Sequence, residues 1–326
     1  MLAEGAVIER LRRDLSLSLD PHILHAGFVY DDRARQALGR VYRQYLDIGR
    51  RYAVPMIVLT PTWRASAARL ERAGLSLSSS ASSGATRDVN GDCVRFLAAR
   101  VAEYGEYARR VYVGGLMGPA GDAYRPQEAL CTGEAEVYHA FQVRALAEAG
   151  VDFLMASTLP AYTEALGLAR AMARSGAPYV LSFVLRPAGA LLDGTPLHKA
   201  VHRIDSMVSP SPSFYMVNCV HPAVFERAFE RELERAPRLS ERVIGLQGNT
   251  SCRSPEELDN LAELEPEDPY VFAAAMVRLN ERFGIAVLGG CCGTDEWHIE
   301  CIAKCLCPSA DRRRRGHAEP DRCRTV

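Results

Sequence analysis

Short apolar runs alternate along this chain with longer amphipathic stretches, and this alternation is the feature that most restricts its fold. The runs are rich in β-branched side chains and bounded by turn residues, so they are predicted to be strands. The seven runs are Met56–Leu59, Val111–Gly115, Val151–Ala156, Tyr179–Leu185, Phe214–Cys219, Val243–Gln247 and Ile285–Leu288. Met1–Ala3 is a candidate for a truncated eighth strand.

The stretches between these runs carry apolar residues at helical spacing. The predicted helices are Arg33–Arg51, Glu134–Ala149, Ala161–Ser175, Pro222–Arg235, Tyr270–Phe283 and Glu296–Leu306. Repeated strand–helix alternation of this number predicts an α/β fold, a parallel sheet closed into a (β/α)8 TIM barrel. An open doubly wound sheet is the alternative, but the early strands lack the Gly-x-Gly-x-x-Gly fingerprint of a dinucleotide site.

At 326 residues the chain fits a single barrel, which we assign to residues 1–308. Two segments do not fit a packed core. The serine-rich stretch from Leu75 to Thr86 is expected to be a flexible loop, either over the barrel mouth or a tolerated insertion. Residues 309–326, which include Arg312–Arg315, are expected to form a disordered basic tail; docking of an acidic partner is the alternative.

Charge balance and hydropathy argue against nucleic-acid and membrane partners. Lys and Arg total 39 against 40 Asp and Glu, whereas a nucleic-acid surface needs a basic excess or stripe. No apolar run approaches the ~20 residues that span a bilayer. The start of the chain, Met1–Gly5, lacks the charged and apolar regions of a secretory leader. We therefore expect a soluble, cytoplasmic protein without nucleic-acid or membrane partners.

Cysteines mark the ends of two predicted strands. The chain has ten cysteines, which in this pattern are typical of metal ligands and reduced thiols rather than of a disulfide framework. Cys219 ends one strand, and the adjacent Cys291 and Cys292 follow another among glycines that would allow close approach of a ligand. Barrel enzymes place their chemistry at such strand ends, so the three side chains are expected to converge.

Three thiolates suit zinc, and a zinc with three protein ligands keeps an open position, as catalytic zinc sites do. The alternative is that these cysteines are small buried hydrophobes. Cys301, Cys305 and Cys307, on or near the predicted last helix, raise the same choice: a second metal site or redox pair, or thiols buried by helix packing.

The motifs Asn218-Cys219 and Gly-Gly-Cys-Cys-Gly-Thr at residues 289–294 resemble those of the zinc-dependent homocysteine S-methyltransferases. Nearly the whole chain follows the order of that family. Further matching segments are Thr62–Ser66, Gly114–Pro119, Ala149–Leu154, Ser182-Phe183 and Asp193–Leu197. The resemblance implies a TIM barrel, Zn²⁺ held by Cys219, Cys291 and Cys292, and transfer of a methyl group from a small onium donor to a small thiol, homocysteine or a homocysteine-like acceptor. No catalytic residue beyond the metal ligands is implied.

The resemblance also implies the substrate-binding residues Glu4, Thr60, Trp63, Ser157, Asn218 and Asn249. Two of these differ from the family, which has an aspartate at the position of Glu4 and commonly a glutamate at that of Ser157, both binding the ammonium of homocysteine. Loss of one charge-assisted contact is expected to weaken homocysteine binding by about one to two powers of ten. Pro61 and Gln247–Thr250 also depart from the usual family residues.

Several alternatives stay open. Trp63 is either a platform for a donor cation or a core aromatic, and Asn249 either orients substrate or belongs to a turn. The rival function is a non-catalytic zinc- or thiol-binding barrel, a pseudoenzyme that lost the acidic pair together with turnover. No sequence feature indicates the oligomeric state.

Overall fold

A computed structural model describes residues 1–14, 16–75, 87–253, 257 and 267–307 of the chain. Residues 76–86 of the predicted serine-rich loop lie outside these ranges, as does the whole predicted basic tail, residues 309–326. Their expected flexibility and the domain limit at residue 308 therefore remain predictions.

Eight parallel strands form a closed barrel in which each strand pairs with its neighbours in sequence order. The strands are β1 (Leu2–Ala3), β2 (Met56–Leu59), β3 (Val111–Met117), β4 (Phe153–Leu159), β5 (Tyr179–Phe183), β6 (Phe214–Val220), β7 (Val243–Gly248) and β8 (Val287–Gly290). The predicted TIM barrel is confirmed, including its truncated first strand. An open sheet is excluded because β1 pairs with both β2 and β8.

Helices surround the barrel. They are α1 (Ile8–Arg12), α2 (Asp32–Tyr52), α3 (Ala67–Arg72), α4 (Val89–Ala102), α5 (Thr132–Glu148), α6 (Tyr162–Ser175), α7 (Leu197–Met207), α8 (Pro222–Arg235), α9 (Pro269–Phe283) and α10 (Glu296–Leu306). Short 3₁₀ segments lie at Ala26–Tyr30, Gly105–Arg110, Pro126–Glu128 and Pro237–Glu241. All six predicted helices are present, with ends within two residues of those expected.

The prediction missed the longer helices α4 and α7 and the short helices α1 and α3. In α4 a glycine, Gly91, lies in the first turn and lowers the helical propensity, and the Asp88 side chain compensates by accepting a hydrogen bond from the Gly91 amide. In α7, by contrast, the buried Leu197, Ala200, Val201 and Ile204 have regular helical spacing. That helix was therefore readable from the sequence.

The barrel interior is filled by side chains that point inward at every second strand position. One apolar cluster, here called the barrel plug, consists of Ala3, Ile57, Leu59, Phe153, Met155, Val180, Met216 and Val287. A second, larger cluster lies between the strands and the helices. The plug gives the carboxyl ends of the strands a rigid apolar floor.

The same inward alternation continues above the plug but changes to polar residues. Ser157 follows Met155 by two positions, Ser182 follows Val180, and Asn218 follows Met216; all three side chains are buried. Strand periodicity therefore places a polar layer directly over an apolar one, at the barrel end where TIM-barrel chemistry occurs. None of the described helices is long and apolar enough to cross a lipid bilayer.

Candidate metal and substrate-binding site

A cavity of about 450 Å³ opens at the carboxyl ends of the strands, above the polar layer. All nine residues predicted to bind metal or substrate line it: Glu4, Thr60, Trp63, Ser157, Asn218, Cys219, Asn249, Cys291 and Cys292. The structure thus brings together residues that lie almost 290 positions apart in the chain. They meet because parallel strands of a closed barrel end on one rim.

The three cysteine thiols form a compact group. Their sulfur atoms all lie within 4.8 Å of one another; Cys219 is buried, and Cys291 and Cys292 are half-buried. A tetrahedral zinc with Zn–S bonds of about 2.3 Å places its sulfurs about 3.8 Å apart. The spacing and the donor type therefore fit a zinc held by three thiolates with one position open to the cavity.

The turn that carries Cys291 and Cys292 is held by its own residues. Thr294 Oγ1 donates to the Cys291 carbonyl at 2.6 Å and accepts from the Ala6 amide at 3.1 Å. A Cβ atom at Gly290 would collide with the Thr294 side chain, and Gly293 has a φ of 84°. The chain's own packing and turn therefore require these two glycines, and Gly290 also lines the cavity. Their interpretation as room for a ligand stays a prediction.

Hydrogen bonds among the three thiols shift their pKa values in opposite directions. The pKa of Cys219 lies well below its usual range because the Cys291 and Cys292 thiols bond to its sulfur, and because Tyr124 and Asn218 also do so. The pKa values of Cys291 and Cys292 are raised well above their usual range, chiefly by the same bonds to Cys219. Cys219 is thus the first of the three to become a thiolate, and a bound cation would favour ionisation of the other two.

Tyr124 is a site residue that the sequence analysis missed. It lies in the loop after β3, lines the cavity and bonds to the Cys219 sulfur. Burial and the neighbouring thiolate charge raise its pKa well above the usual range, so its hydroxyl stays protonated and donates. A lone tyrosine in a loop carries no sequence pattern that could have indicated this contact.

The strand ends that carry Cys219 and Ser157 are irregular. The β6–β7 register shifts between Asn218 and Val220, and the β4–β5 register shifts between Ala156 and Leu159. Cys219 has a φ of 54° and Thr158 a φ of 65°. Positive φ is uncommon for non-glycine residues and costs on the order of 1–3 kcal/mol each.

These bulges let two consecutive residues of one strand line the cavity. Asn218 and Cys219 do so on β6, and Ser157 and Thr158 on β4. In a regular strand, neighbouring side chains point to opposite faces, so Cys219 would face the surrounding helices. The bulge is what turns the Cys219 sulfur toward Cys291 and Cys292.

Glu4 is the acid of the cavity wall. Its side chain is buried, its Oε2 accepts from the Leu59 amide at 3.0 Å, and it makes no ion pair within the described part of the chain. Burial raises the pKa of this carboxyl to about 8. A cationic group bound beside Glu4 would stabilise the carboxylate and lower that pKa.

Three other buried polar atoms on the cavity wall have no hydrogen-bond partner among the described residues. They are Ser157 Oγ, Asn249 Oδ1 and His25 Nδ1. Burial lowers the pKa of His25 to about 3, so the imidazole is neutral. Because buried polar groups are rarely left unsatisfied, these atoms mark positions where a polar ligand or water would bind.

Thr60 and Trp63 occupy the wall at the end of β2. The Thr60 hydroxyl accepts from the Leu116 amide at 2.9 Å and pairs with the Thr62 hydroxyl at 2.7 Å. Trp63 is half-buried and its Nε1 donates to the Ser157 carbonyl at 3.4 Å. The Arg64 guanidinium lies 4.4 Å from the centre of the Trp63 ring, so a donor cation would have to use the opposite ring face.

Among the described residues, the cysteines other than Cys219, Cys291 and Cys292 form no second metal site. Cys219, Cys291 and Cys292 are the one group of three or more potential metal ligands found across the described ranges. Cys301 is a buried free thiol in α10 and Cys307 a half-buried free thiol at its end. Cys305 is disulfide-bonded, which departs from the prediction that the cysteines are reduced.

One protein family matches the barrel and both cysteine motifs of this chain. The profile of the homocysteine S-methyltransferase family matches residues 1–306. The chain belongs to this family. The resemblance stated from the cysteine motifs is therefore confirmed, and so is the assignment of the chain as a methyltransferase enzyme.

Characterised relatives of this homocysteine S-methyltransferase family member cover most of its length. Betaine–homocysteine S-methyltransferase 1 of Bos taurus is 26% identical over 324 residues, which span 94% of this chain and 72% of the relative. The Mus musculus protein of the same name gives the same values. The homocysteine methyltransferase MmuM from Escherichia coli, in its metallated form, matches with a TM-score of 0.71 at 21% identity over 93% of this chain and 95% of that one. This last likeness is one of fold.

The raised pKa of Glu4 predicts a pH-dependent stability difference. Between about pH 4.5 and 8 the folded protein holds a proton that the unfolded chain has released, so folding stability falls as the pH rises through this range. We expect the melting temperature of Glu4→Gln relative to the wild type to increase from pH 5 to 8 and to level off above. The slope is at most about 1.4 kcal/mol per pH unit.

Thermal unfolding followed by circular dichroism at each pH measures this difference. Glu71→Gln on the exposed face of α3 is the matched control, and its difference from the wild type should not grow with pH. A constant difference for Glu4→Gln across the range would show that Glu4 is ionised in the empty cavity.

Proposed function

We propose that this protein is a zinc-dependent S-methyltransferase that moves a methyl group from a small onium donor to the thiol of homocysteine or a homocysteine-like acceptor. The observation that carries the proposal is the group of three cysteine sulfurs within 4.8 Å of one another on the wall of a cavity that also contains Glu4 and Ser157. Membership of the homocysteine S-methyltransferase family supports it. So does the similarity to the betaine–homocysteine S-methyltransferases.

Cys219, Cys291 and Cys292 would hold the metal, and the turn through Gly293 and Thr294 fixes two of them. Zinc supplies Lewis acidity that lowers the pKa of a coordinated acceptor thiol. Tyr124 and Asn218 bond to the Cys219 sulfur and keep it oriented. The deprotonated acceptor sulfur, held near these residues, attacks the methyl carbon of a donor placed in line with it. The new S–CH₃ bond forms as the bond between that methyl group and the donor's onium nitrogen or sulfur breaks, and the neutral amine or thioether leaves with the bonding electrons.

The cavity size favours a small donor. Acceptor and donor must share about 450 Å³, which is at the low end for ligand pockets. Betaine and S-methylmethionine therefore suit the space better than the larger S-adenosylmethionine. Trp63 and the neutral His25 offer uncharged surface on the same wall.

The acceptor end of the cavity has one carboxylate where the family commonly has two. Glu4 is available to pair with an ammonium group, whereas Ser157 presents only an unpartnered hydroxyl within the described structure. An ammonium leaving water needs a charged partner to offset its desolvation. We infer that the acceptor is either homocysteine bound weakly or a related thiol with a less demanding polar end.

The non-catalytic alternative differs from this proposal in turnover and not in metal binding. A screen of thiols and onium donors, with methylated products detected by mass spectrometry, separates the two. We further propose a cytoplasmic location and a role in methionine biosynthesis. The cysteines of the group are free thiols, which are typical of a reducing compartment, and methylation of homocysteine sulfur yields methionine.

The metal assignment predicts about one zinc per purified chain, measured by inductively coupled plasma mass spectrometry. Cys291→Ala should lose most of it, because two thiolates rarely retain zinc tightly. Cys131→Ser, which changes an exposed free thiol at the start of α5, is the matched control and should keep full occupancy. Full occupancy in a Cys219, Cys291 and Cys292 triple alanine variant would disprove the assignment.

The acceptor assignment predicts that Ser157→Glu improves homocysteine methylation relative to thiols without an amino group. The ammonium keeps its charge as the methyl group moves, so the gain should appear as a roughly ten- to hundred-fold lower KM with kcat little changed. Steady-state kinetics with both kinds of thiol measure it.

Ser157→Gln adds the same length without charge and should give no such gain. Equal homocysteine affinity in the wild type and Ser157→Glu would mean that Glu4 or another acid already supplies the charge. In that case the acceptor would not differ from that of the family.

A further inference from the structure

The bulges on β4 and β6 are joined by a single side chain. Asn218 lies on β6 immediately before Cys219, and its Oδ1 accepts from the Thr158 amide on β4 at 2.9 Å. Its Nδ2 donates to Thr158 Oγ1 at 2.8 Å and to Cys219 Sγ at 3.4 Å. Thr158 and Cys219, the two strand residues with positive φ, are thus bonded to one carboxamide.

β5, the strand between them, contributes a fourth bond. Ser182 Oγ donates to Asn218 Oδ1 at 2.7 Å. A carboxamide has two lone pairs and two N–H donors, and Asn218 uses all four on protein atoms. The amide orientation is also fixed, because the reverse assignment would place its NH₂ group against the Thr158 N–H donor.

The four hydrogen bonds of the Asn218 carboxamide argue against direct binding of substrate by this residue. The side chain is 3% exposed, and no donor or acceptor of its carboxamide is left for a ligand. Ser157 and Asn249, in contrast, are buried beside the same cavity and have unpartnered atoms among the described residues. Asn218 therefore acts on the site through Cys219 and Thr158.

We propose that Asn218 is a positioning residue that couples the metal-binding thiol of Cys219 to the acceptor wall at Ser157–Thr158. The carboxamide holds both bulges in the left-handed conformation, so it sets the position of the Cys219 sulfur relative to the wall that receives the polar end of the acceptor. The inference rests on the proposed metal site. It assigns to the asparagine of the Asn-Cys pair a role other than the substrate contact expected from the sequence.

Partners that orient a metal ligand without touching the metal typically change affinity by about 10- to 100-fold when removed. Asn218→Ala removes all four bonds and should lower zinc affinity by this factor, measured by chelator competition. Asn218→Asp keeps the two acceptor bonds but loses both donors, including the one to Cys219, so it should also bind zinc more weakly. Ser182→Ala removes a single bond and should have the smallest effect.

A second substitution separates positioning from general stability. Thr158→Gly makes the left-handed conformation on β4 accessible without help from Asn218. The melting-temperature loss caused by Asn218→Ala should therefore be smaller in a Thr158→Gly background. The loss of zinc affinity should persist, because Cys219 on β6 still lacks its partner. A purely structural role predicts that both losses are recovered together.

Hydrogen exchange of the metal-free protein provides a readout that does not require zinc. Asn218→Ala should speed exchange in both segments, residues 157–159 and 218–220, whereas Ser182→Ala should leave the Thr158 amide protected. Unchanged exchange in both segments of Asn218→Ala, or zinc affinity within twofold of the wild type, would overturn the proposal. A wild-type protein that binds no zinc would instead refute the proposed function, and the exchange experiment would still decide the coupling.

Discussion

Closure of the barrel by the two-residue strand β1 is the constraint on which the rest of the structure depends. Leu2 pairs with Met56 on β2 and with Leu288 on β8. The two residues of β1, Leu2 and Ala3, therefore join the ends of the sheet. The ladder continues into the site: the Glu4 amide donates to the Ile57 carbonyl at 3.2 Å, and the Gly290 amide donates to the Glu4 carbonyl at 3.0 Å. The bonds that close the barrel therefore also place Glu4 beside the strand end that carries Cys291.

The electrostatics of the cavity follow from burial over an apolar floor. The barrel plug excludes water from below, so Glu4 is neutral near pH 7, His25 is uncharged, and Cys219 takes the first negative charge of the thiol group. A bound ligand of opposite charge would stabilise the ionised form of each of these groups. Such a cavity favours cationic ligand groups at the thiols and at Glu4.

Strand periodicity explains most of the site, and its interruption explains the rest. Inward-facing positions place Ser157, Ser182 and Asn218 above the plug without any special geometry. Cys219 reaches the cavity only because β6 is bulged, and the backbone strain at Cys219 and Thr158 is compensated by bonds from Asn218. Strain held by surrounding contacts is characteristic of functional positions.

The sequence by itself determined the barrel and the meeting of Cys219, Cys291 and Cys292 at one rim, because strand alternation and strand-end cysteines are local patterns with one consistent closure. The family resemblance also predicted the replacement of a carboxylate by Ser157. Only the tertiary structure placed Tyr124, His25 and Asn218 in their contacts at the cavity, since each depends on strands or loops distant in the chain. It also showed that Gly290 at the end of β8 packs against Thr294 and that Gly293 has a positive φ in the turn, because steric room and positive φ are properties of the folded backbone and not of residue type.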